Sequence, residues 1–198
     1  MKKNILILIL ISSHGIANAQ VDQGNFSINL THKVAVNNTK LMRNNLTGID
    51  VEWNVADNVG LNYSIYGGEG VFHMPAGPAI GVAAVCVAAC FWAGGGLDFE
   101  SEMLLIFAIP EGVTYNFEIA QNTYISPYIN PLGLEYHDYP EGENRWFGMG
   151  SAGTKIKMFM PVGSEVYVVF SGFAEAQLEY TSDQQLGIRA GLSCGISF

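Results

Sequence analysis

The sequence predicts an all-β fold, an eight-stranded antiparallel barrel that crosses a membrane. The segment from Leu186 to Phe198 has an apolar residue at every second position, with Gly, Ser and Arg between them. Because side chains alternate between the two faces of a strand, this segment has one apolar and one polar face. Its length fits the roughly 9–11 residues of a membrane-spanning strand. The composition agrees, because only 14% of the residues are charged and 12% are aromatic, as lipid-facing strands with aromatic girdles require.

A cleaved secretory signal peptide is predicted at residues 1–19. Lys2 and Lys3 precede an apolar run, and Ala17 to Ala19 has the small-x-small form of a cleavage site. The apolar run is too short to span a bilayer. We therefore expect residues 20–198 to form the barrel domain.

The charge and the cysteines limit the function classes. A formal net charge of −9 argues against a nucleic-acid partner, which calls for a basic surface. Cys194 falls on the predicted lipid face. Cys86 and Cys90 either form a disulfide or stay free, because their spacing does not decide between the two.

Alternation predicts the first three strands. They are Asn25–Val36, Leu46–Val55 and a strand that contains Leu61, Tyr63 and Ile65. A polar loop separates the first two strands, and a tight turn at Ala56 to Asn58 joins the second to the third.

The fourth and fifth strands are interrupted by prolines. The fourth, Met103–Phe117, loses its alternation at Pro110 to Gly112, where we expect a bulge. Splitting the strand there would leave pieces of about seven residues, too short to cross a bilayer. The fifth, Thr123–Tyr136, is kinked by Pro127 and Pro131.

The remaining strands are Trp146–Met160, Glu165–Tyr180 and the closing strand Leu186–Phe198. An even count places both termini at the same end. Short turns then lie at that end and longer loops at the other, which is the asymmetry of outer-membrane barrels.

This pattern resembles the small bacterial outer-membrane barrels of the OmpA/OmpX type over essentially the whole mature chain. The last strand, which ends at Phe198, resembles the assembly signal of such barrels. The resemblance implies a location in the bacterial outer membrane, with membrane lipid and the barrel-insertion machinery as partners.

The segment from Gly67 to Glu100 does not follow the pattern, because its middle, Ala79–Trp92, is continuously apolar. It could be a transmembrane helix, although 14 residues fall short of the roughly 20 required. It could also be an extra strand pair, which would give ten strands. We favour an apolar outer loop, which we expect to be a contact surface for a partner.

Seven charged residues take lumen-facing positions, namely Asp50, Glu52, Lys155, Lys157, Glu175, Glu179 and Arg189. They form either a paired core that plugs the barrel or a narrow ion path, and the plug is favoured because so small a lumen is filled by side chains. If Tyr180 pairs with Leu186, Arg189 lies opposite Gln177. The two diagonal carboxylates, Glu175 and Glu179, are then its expected partners.

The sequence predicts no catalytic, cofactor-binding or metal site. His32, His73 and His137 are far apart, and none has a His or Cys at ligand spacing. The best candidate for catalysis is a polar outer-loop group, Glu135, His137, Asp138 and Glu141, which we interpret as a solvated loop.

The expected function is therefore non-enzymatic. We expect an integral outer-membrane protein with an envelope-structural or surface-contact role through its outer loops. One alternative is an outer-membrane, lipid-modifying enzyme that acts at the rim near His137. The other is a secreted, lipocalin-like carrier with its apolar face inside.

Overall fold

A computed structural model describes residues 24–36, 45–68, 70–77, 109–138, 144–180 and 186–198. Its strands are β1 (Phe26–Ala35), β2 (Leu46–Ala56), β3 (Val59–Gly68), β4 (Val71–Pro75), β5 (Gly112–Tyr115), β6 (Phe117–Ala120), β7 (Thr123–His137), β8 (Arg145–Pro161), β9 (Tyr167–Glu179) and β10 (Leu186–Ser197). The predicted signal peptide, the apolar segment Ala79–Trp92, Cys86 and Cys90 lie outside the described residues.

The strands form one closed antiparallel ring. The order runs β2-β1-β10-β9-β8-β7-β4-β3, and β3 pairs with β2 to close it. β4, β5 and β6 lie one after another along β7 and share a single position. The ring therefore has eight positions, so the prediction of an eight-stranded barrel is confirmed and the ten-stranded alternative is wrong.

Alternation along the strands gives the barrel an apolar outer surface and a polar interior. On β10, Ile188, Leu192 and Ile196 face outward, whereas Arg189 and Ser193 are buried. A closed ring with this surface satisfies its backbone hydrogen bonds internally, as the bilayer interior requires. The fold is thus that of a transmembrane barrel, and an apolar-lined carrier of the lipocalin type is contradicted.

Both described ends of the chain lie at one end of the barrel, called here the terminus end. Phe26 and Phe198 stack there, with ring centroids 5.8 Å apart. The short turns of this end contain Asn58 and Asn122, which have positive φ values of 64° and 58°. Asn tolerates this left-handed conformation better than most residues. The opposite end is called the loop end.

The fourth position of the ring differs from the prediction of one strand from Met103 to Phe117. Its loop-end half is β4, which follows a tight turn at Gly70 (φ 71°). Its terminus-end half is β5 followed by β6. The expected outer loop from Gly67 to Glu100 is therefore wrong in its first part, because the chain stays in the wall as far as Pro75.

No helix among the described residues is long and apolar enough to cross a membrane.

A bulge in β7 sets which side chains reach the lumen near the loop end. The register of β7 with β8 shifts between Asn130 and Gly133, and the two residues between them both face outward. The side-chain phase changes there, so that Glu135 points inward. On the outer surface, the Tyr180 hydroxyl donates a hydrogen bond to the Pro131 carbonyl at 3.0 Å. This bond ties the end of β9 to the bulge of β7 across β8.

Candidate functional site

The barrel interior is the candidate site, because the buried residues of the described chain are mostly polar or charged. Strand alternation places them there, and an eight-stranded barrel is only wide enough for its own side chains or one small ligand. A buried charge is costly unless it is paired and hydrogen-bonded. The partners of each charged group therefore decide what the interior can do.

Nearest the terminus end, Lys157 on β8 is paired with Glu52 on β2 across the lumen. The Lys157 Nζ lies 2.7 Å from the Glu52 Oε1 and 2.9 Å from the Asn116 Oδ1. Asn116 also donates to Glu52 at 3.0 Å and accepts from Ser126 at 2.6 Å. Lys157, Glu52, Asn116 and Ser126 are thereby linked in one hydrogen-bonded group, which fixes the lysine in place.

The middle layer is centred on Asp50. This carboxylate accepts hydrogen bonds from the hydroxyls of Thr31, at 2.7 Å, and Tyr66. The Lys155 Nζ lies 3.9 Å from the Asp50 Oδ2 and 5.1 Å from the centre of the Tyr128 ring. The positive charge of Lys155 is thus stabilised by the Asp50 carboxylate and by the face of the Tyr128 ring.

Glu175 on β9 is held by three groups. The Lys33 Nζ lies 3.0 Å from its Oε1, the Tyr128 hydroxyl donates at 2.6 Å, and the Gln177 amide donates at 2.9 Å. The Lys33 Nζ also lies 3.9 Å from the centre of the Tyr66 ring. Lys33 is not among the lumen-facing charges predicted from the sequence. The alternation does indicate it, because Lys33 is two residues from Thr31 on β1 and therefore lies on the same face.

The layer toward the loop end, called here the Glu135 cluster, joins Glu135, Arg189, His73, His137 and Glu111. The Glu135 carboxylate lies 2.9 Å from the Arg189 Nη1, 3.0 Å from the His137 Nε2 and 3.3 Å from the His73 Nδ1. Glu135 and Arg189 are both fully buried. One carboxylate thus accepts hydrogen bonds from Arg189 on β10 and His137 on β7, and it lies at ion-pair distance from His73 on β4.

Arg189 corrects two sequence expectations. The closing hairpin pairs Leu186 with Leu178, so Arg189 lies opposite Glu175 and not opposite Gln177. A shift of two residues leaves every side chain on its own face, so alternation could not detect it. The carboxylate partner of Arg189 is Glu135, whereas Glu175 pairs with Lys33. Glu179 is buried at the end of β9.

The prediction that Glu135, His137, Asp138 and Glu141 form a solvated outer loop is wrong for the first two residues. Glu135 and His137 belong to β7 and are buried in the lumen, with the His137 ring edge-on to Phe147 at 5.3 Å. Asp138 follows β7, and Glu141 lies outside the described residues. The enzyme alternative required an exposed His–carboxylate pair at the rim. Glu135 and His137 are not such a pair, because both are buried.

Apolar side chains close the terminus end of the lumen. Tyr124, Phe159 and Val169 form a buried cluster, and Tyr167 packs against it. A small cavity beside this cluster has room for about one water molecule. Its lining includes Ser27, Asn29, Glu52, Lys157 and Ser193. At this end of the lumen the apolar cluster therefore leaves only a small cavity beside the charged pair of Lys157 and Glu52.

Within the described part of the chain, no group of three or more His, Cys, Asp or Glu side chains could hold a metal ion. In the Glu135 cluster the geometry explains this, because the Arg189 guanidinium bonds to the carboxylate oxygen that a metal would need. The acceptors of the cluster are already bonded to protein donors.

Comparisons with known proteins give only distant similarities. No family model matches the chain, and no curated protein matches it. The chain is similar to the N-terminal β-barrel domain of OprF from Pseudomonas aeruginosa, with 12% identity, a TM-score of 0.49, and coverage of 89% of this chain and 98% of that one. It is similar to Ail, the attachment invasion locus protein of Yersinia pestis, with 11% identity, a TM-score of 0.41, and coverage of 89% and 99%. The assignment of the fold rests on the ring closure and the apolar outer face.

Proposed function

We propose that this protein is a non-enzymatic integral protein of the bacterial outer membrane. In this proposal the barrel is a closed scaffold and not a channel, and its outer loops make the contacts that matter to the cell. Lipid surrounds the apolar outer face, and the insertion machinery recognises the end of β10.

The observation that supports this proposal is the pairing of charges across the lumen. Lys157 with Glu52, Lys33 with Glu175, and Arg189 with Glu135 each join strands that are not neighbours in the ring. An ion that passed through would have to displace these buried pairs, which is costly because each separated charge would be left without a partner. A structural plug fits this arrangement better than an ion path does.

A role in surface contact remains part of the proposal for the segment from Gly67 to Glu100. Residues 70–77 of this segment lie in the barrel wall or directly beside it, and residues 78–100 are outside the described part. The contact surface is therefore assigned to residues 78–100, which include the apolar run Ala79–Trp92.

Membrane residence predicts a specific extraction behaviour. We expect the mature protein to sediment with the outer membrane, to resist alkaline carbonate, and to dissolve only in detergent, because its outer face is apolar. Without boiling it should migrate on a gel as a compact band, since a closed ring has no edge strand from which to unravel. Recovery of a soluble, folded protein from the periplasm would contradict the proposal.

A further inference from the structure

The barrel wall is discontinuous at its fourth position. β4 ends at Pro75 and β5 begins at Gly112, so this position consists of separate strands with 36 residues, 76–111, between them along the chain. The two sides of this break lie against each other, because a side chain added at Gly77 would collide with the backbone of Ile109. The joint between β4 and β5 therefore depends on contacts other than a continuous strand.

Glu111 provides four of these contacts. Its backbone amide donates to the Asn62 carbonyl of β3 at 2.8 Å, and its carbonyl accepts from the Leu132 amide of β7 at 3.1 Å. Its carboxylate accepts from the Ser64 hydroxyl and lies 2.9 Å from the His73 Nε2. The bond from Glu111 to His73 is thus a side-chain link across the break, from β5 to β4.

His73 has a carboxylate oxygen beside each of its ring nitrogens. The Nε2 lies 2.9 Å from the Glu111 Oε1, and the Nδ1 lies 3.3 Å from the Glu135 Oε1. A neutral imidazole carries one N–H, so its other nitrogen would direct a lone pair at a carboxylate. An imidazolium carries two N–H groups, so it can donate to Glu111 through Nε2 while its Nδ1–H, at ion-pair distance, carries no lone pair toward Glu135. The geometry therefore fits the charged form of His73.

The surroundings of His73 support the same charge state. β7 contributes Glu135 and His137, and the residue before β5 is Glu111. From β3, the Tyr66 ring lies 5.7 Å from the His73 ring, and the Tyr66 hydroxyl is engaged by Asp50. From across the lumen, Arg189 reaches Glu135. Two carboxylates and one guanidinium leave a charge of −1 in the Glu135 cluster, which a protonated His73 neutralises.

We propose that His73 is held as an imidazolium in the folded barrel and serves as a proton-dependent latch that joins β4 to Glu111 across the break in the wall. The link between β4 and Glu111 is then strongest while His73 carries its proton, and it weakens when His73 loses that proton.

The protonation state can be measured directly in the wild-type barrel. In detergent micelles, two-bond ¹H–¹⁵N correlations of the histidine rings distinguish imidazolium from both neutral tautomers. At pH 8 we expect the two ring nitrogens of His73 to have imidazolium shifts. A His73 ring with one unprotonated nitrogen at pH 8 would overturn the proposal.

The effect on stability is measured by urea unfolding in lipid vesicles between pH 6 and pH 10. We expect the wild-type midpoint to fall over this range and the fall to be smaller in His73→Gln. His32→Gln, which changes an exposed histidine, should match the wild type. Equal pH dependence in wild type and His73→Gln would overturn the latch. If His73→Gln does not fold, Glu111→Gln replaces it, with the same expectation of a reduced fall.

Discussion

Replacement of Glu135 by alanine is expected to lower the free energy of unfolding by about 3–5 kcal/mol, the cost of removing one partner from a buried ion pair. Glu135 is fully buried and serves Arg189, His73 and His137. Without it, the Arg189 guanidinium remains in the lumen without its carboxylate, and it cannot lose its proton. Urea titration of the barrel in lipid vesicles measures the loss.

Two further variants show that the loss comes from the pair. Adding Arg189→Leu to Glu135→Ala should recover part of the stability, because the uncompensated charge is removed. The same addition to Glu175→Ala should not, because the cation bonded to Glu175 is Lys33. Glu118→Ala, at an exposed carboxylate, is the control and should change stability by less than about 0.5 kcal/mol. A Glu135→Ala variant as stable as this control would contradict the account of the lumen.

Phe198→Ser is expected to reduce the amount of folded barrel in the outer membrane to a small fraction of the wild-type level. The Phe198 backbone closes the seam with β1 through bonds to Phe26 of 2.9 and 3.0 Å, and a serine would keep those bonds. The side chain itself is worth at most about 3 kcal/mol of apolar burial. We expect a larger defect, because the insertion machinery is proposed to read this residue.

Phe117→Ser is the matched control for Phe198→Ser. Phe117 is 50% exposed and Phe198 is 52% exposed on the same surface, so the two changes remove similar lipid contacts. The levels are measured by quantitative blots of heat-modifiable protein in outer-membrane fractions. If both variants reach the same level, the assembly role assigned to Phe198 is wrong.

The strands with uninterrupted alternation could be predicted closely from the sequence. The first predicted strand, Asn25–Val36, is β1 (Phe26–Ala35), and the closing strand begins at Leu186 as expected. In these strands the face on which a residue lies decides whether it is apolar or polar. The alternation therefore predicts where each strand begins and ends and which side chains face outward.

The fourth position could not be predicted, because it is assembled from pieces. β4 has five residues and β5 and β6 have four each, too few for alternation to stand out. β4 is also separated from β5 by the segment 76–111, so no local pattern indicates that the two share one position. Their common neighbour β7 aligns them, and this alignment is a long-range contact.

The Glu135 cluster was missed for two physical reasons. Pro131 predicts a bend in the fifth strand. A bend alone does not indicate that inward and outward positions are exchanged after it, and this exchange is what turns Glu135 inward. The choice of partner also depends on the closed ring, because β7 lies three positions from β10. Register between neighbouring strands suggested Glu175 or Glu179 for Arg189, whereas the actual partner reaches it across the lumen.

The most direct test of the central claim, that paired side chains close the lumen, is the single-channel conductance of the purified wild-type barrel. The protein is refolded in detergent, shown to be heat-modifiable, and inserted into planar lipid bilayers in 1 M KCl, with a porin as a positive control for insertion. The account predicts no stepwise current from the wild-type barrel, because Lys157, Lys33 and Arg189 are each bonded to a carboxylate across the lumen. Reproducible current steps from the wild-type protein would show an open path and contradict it.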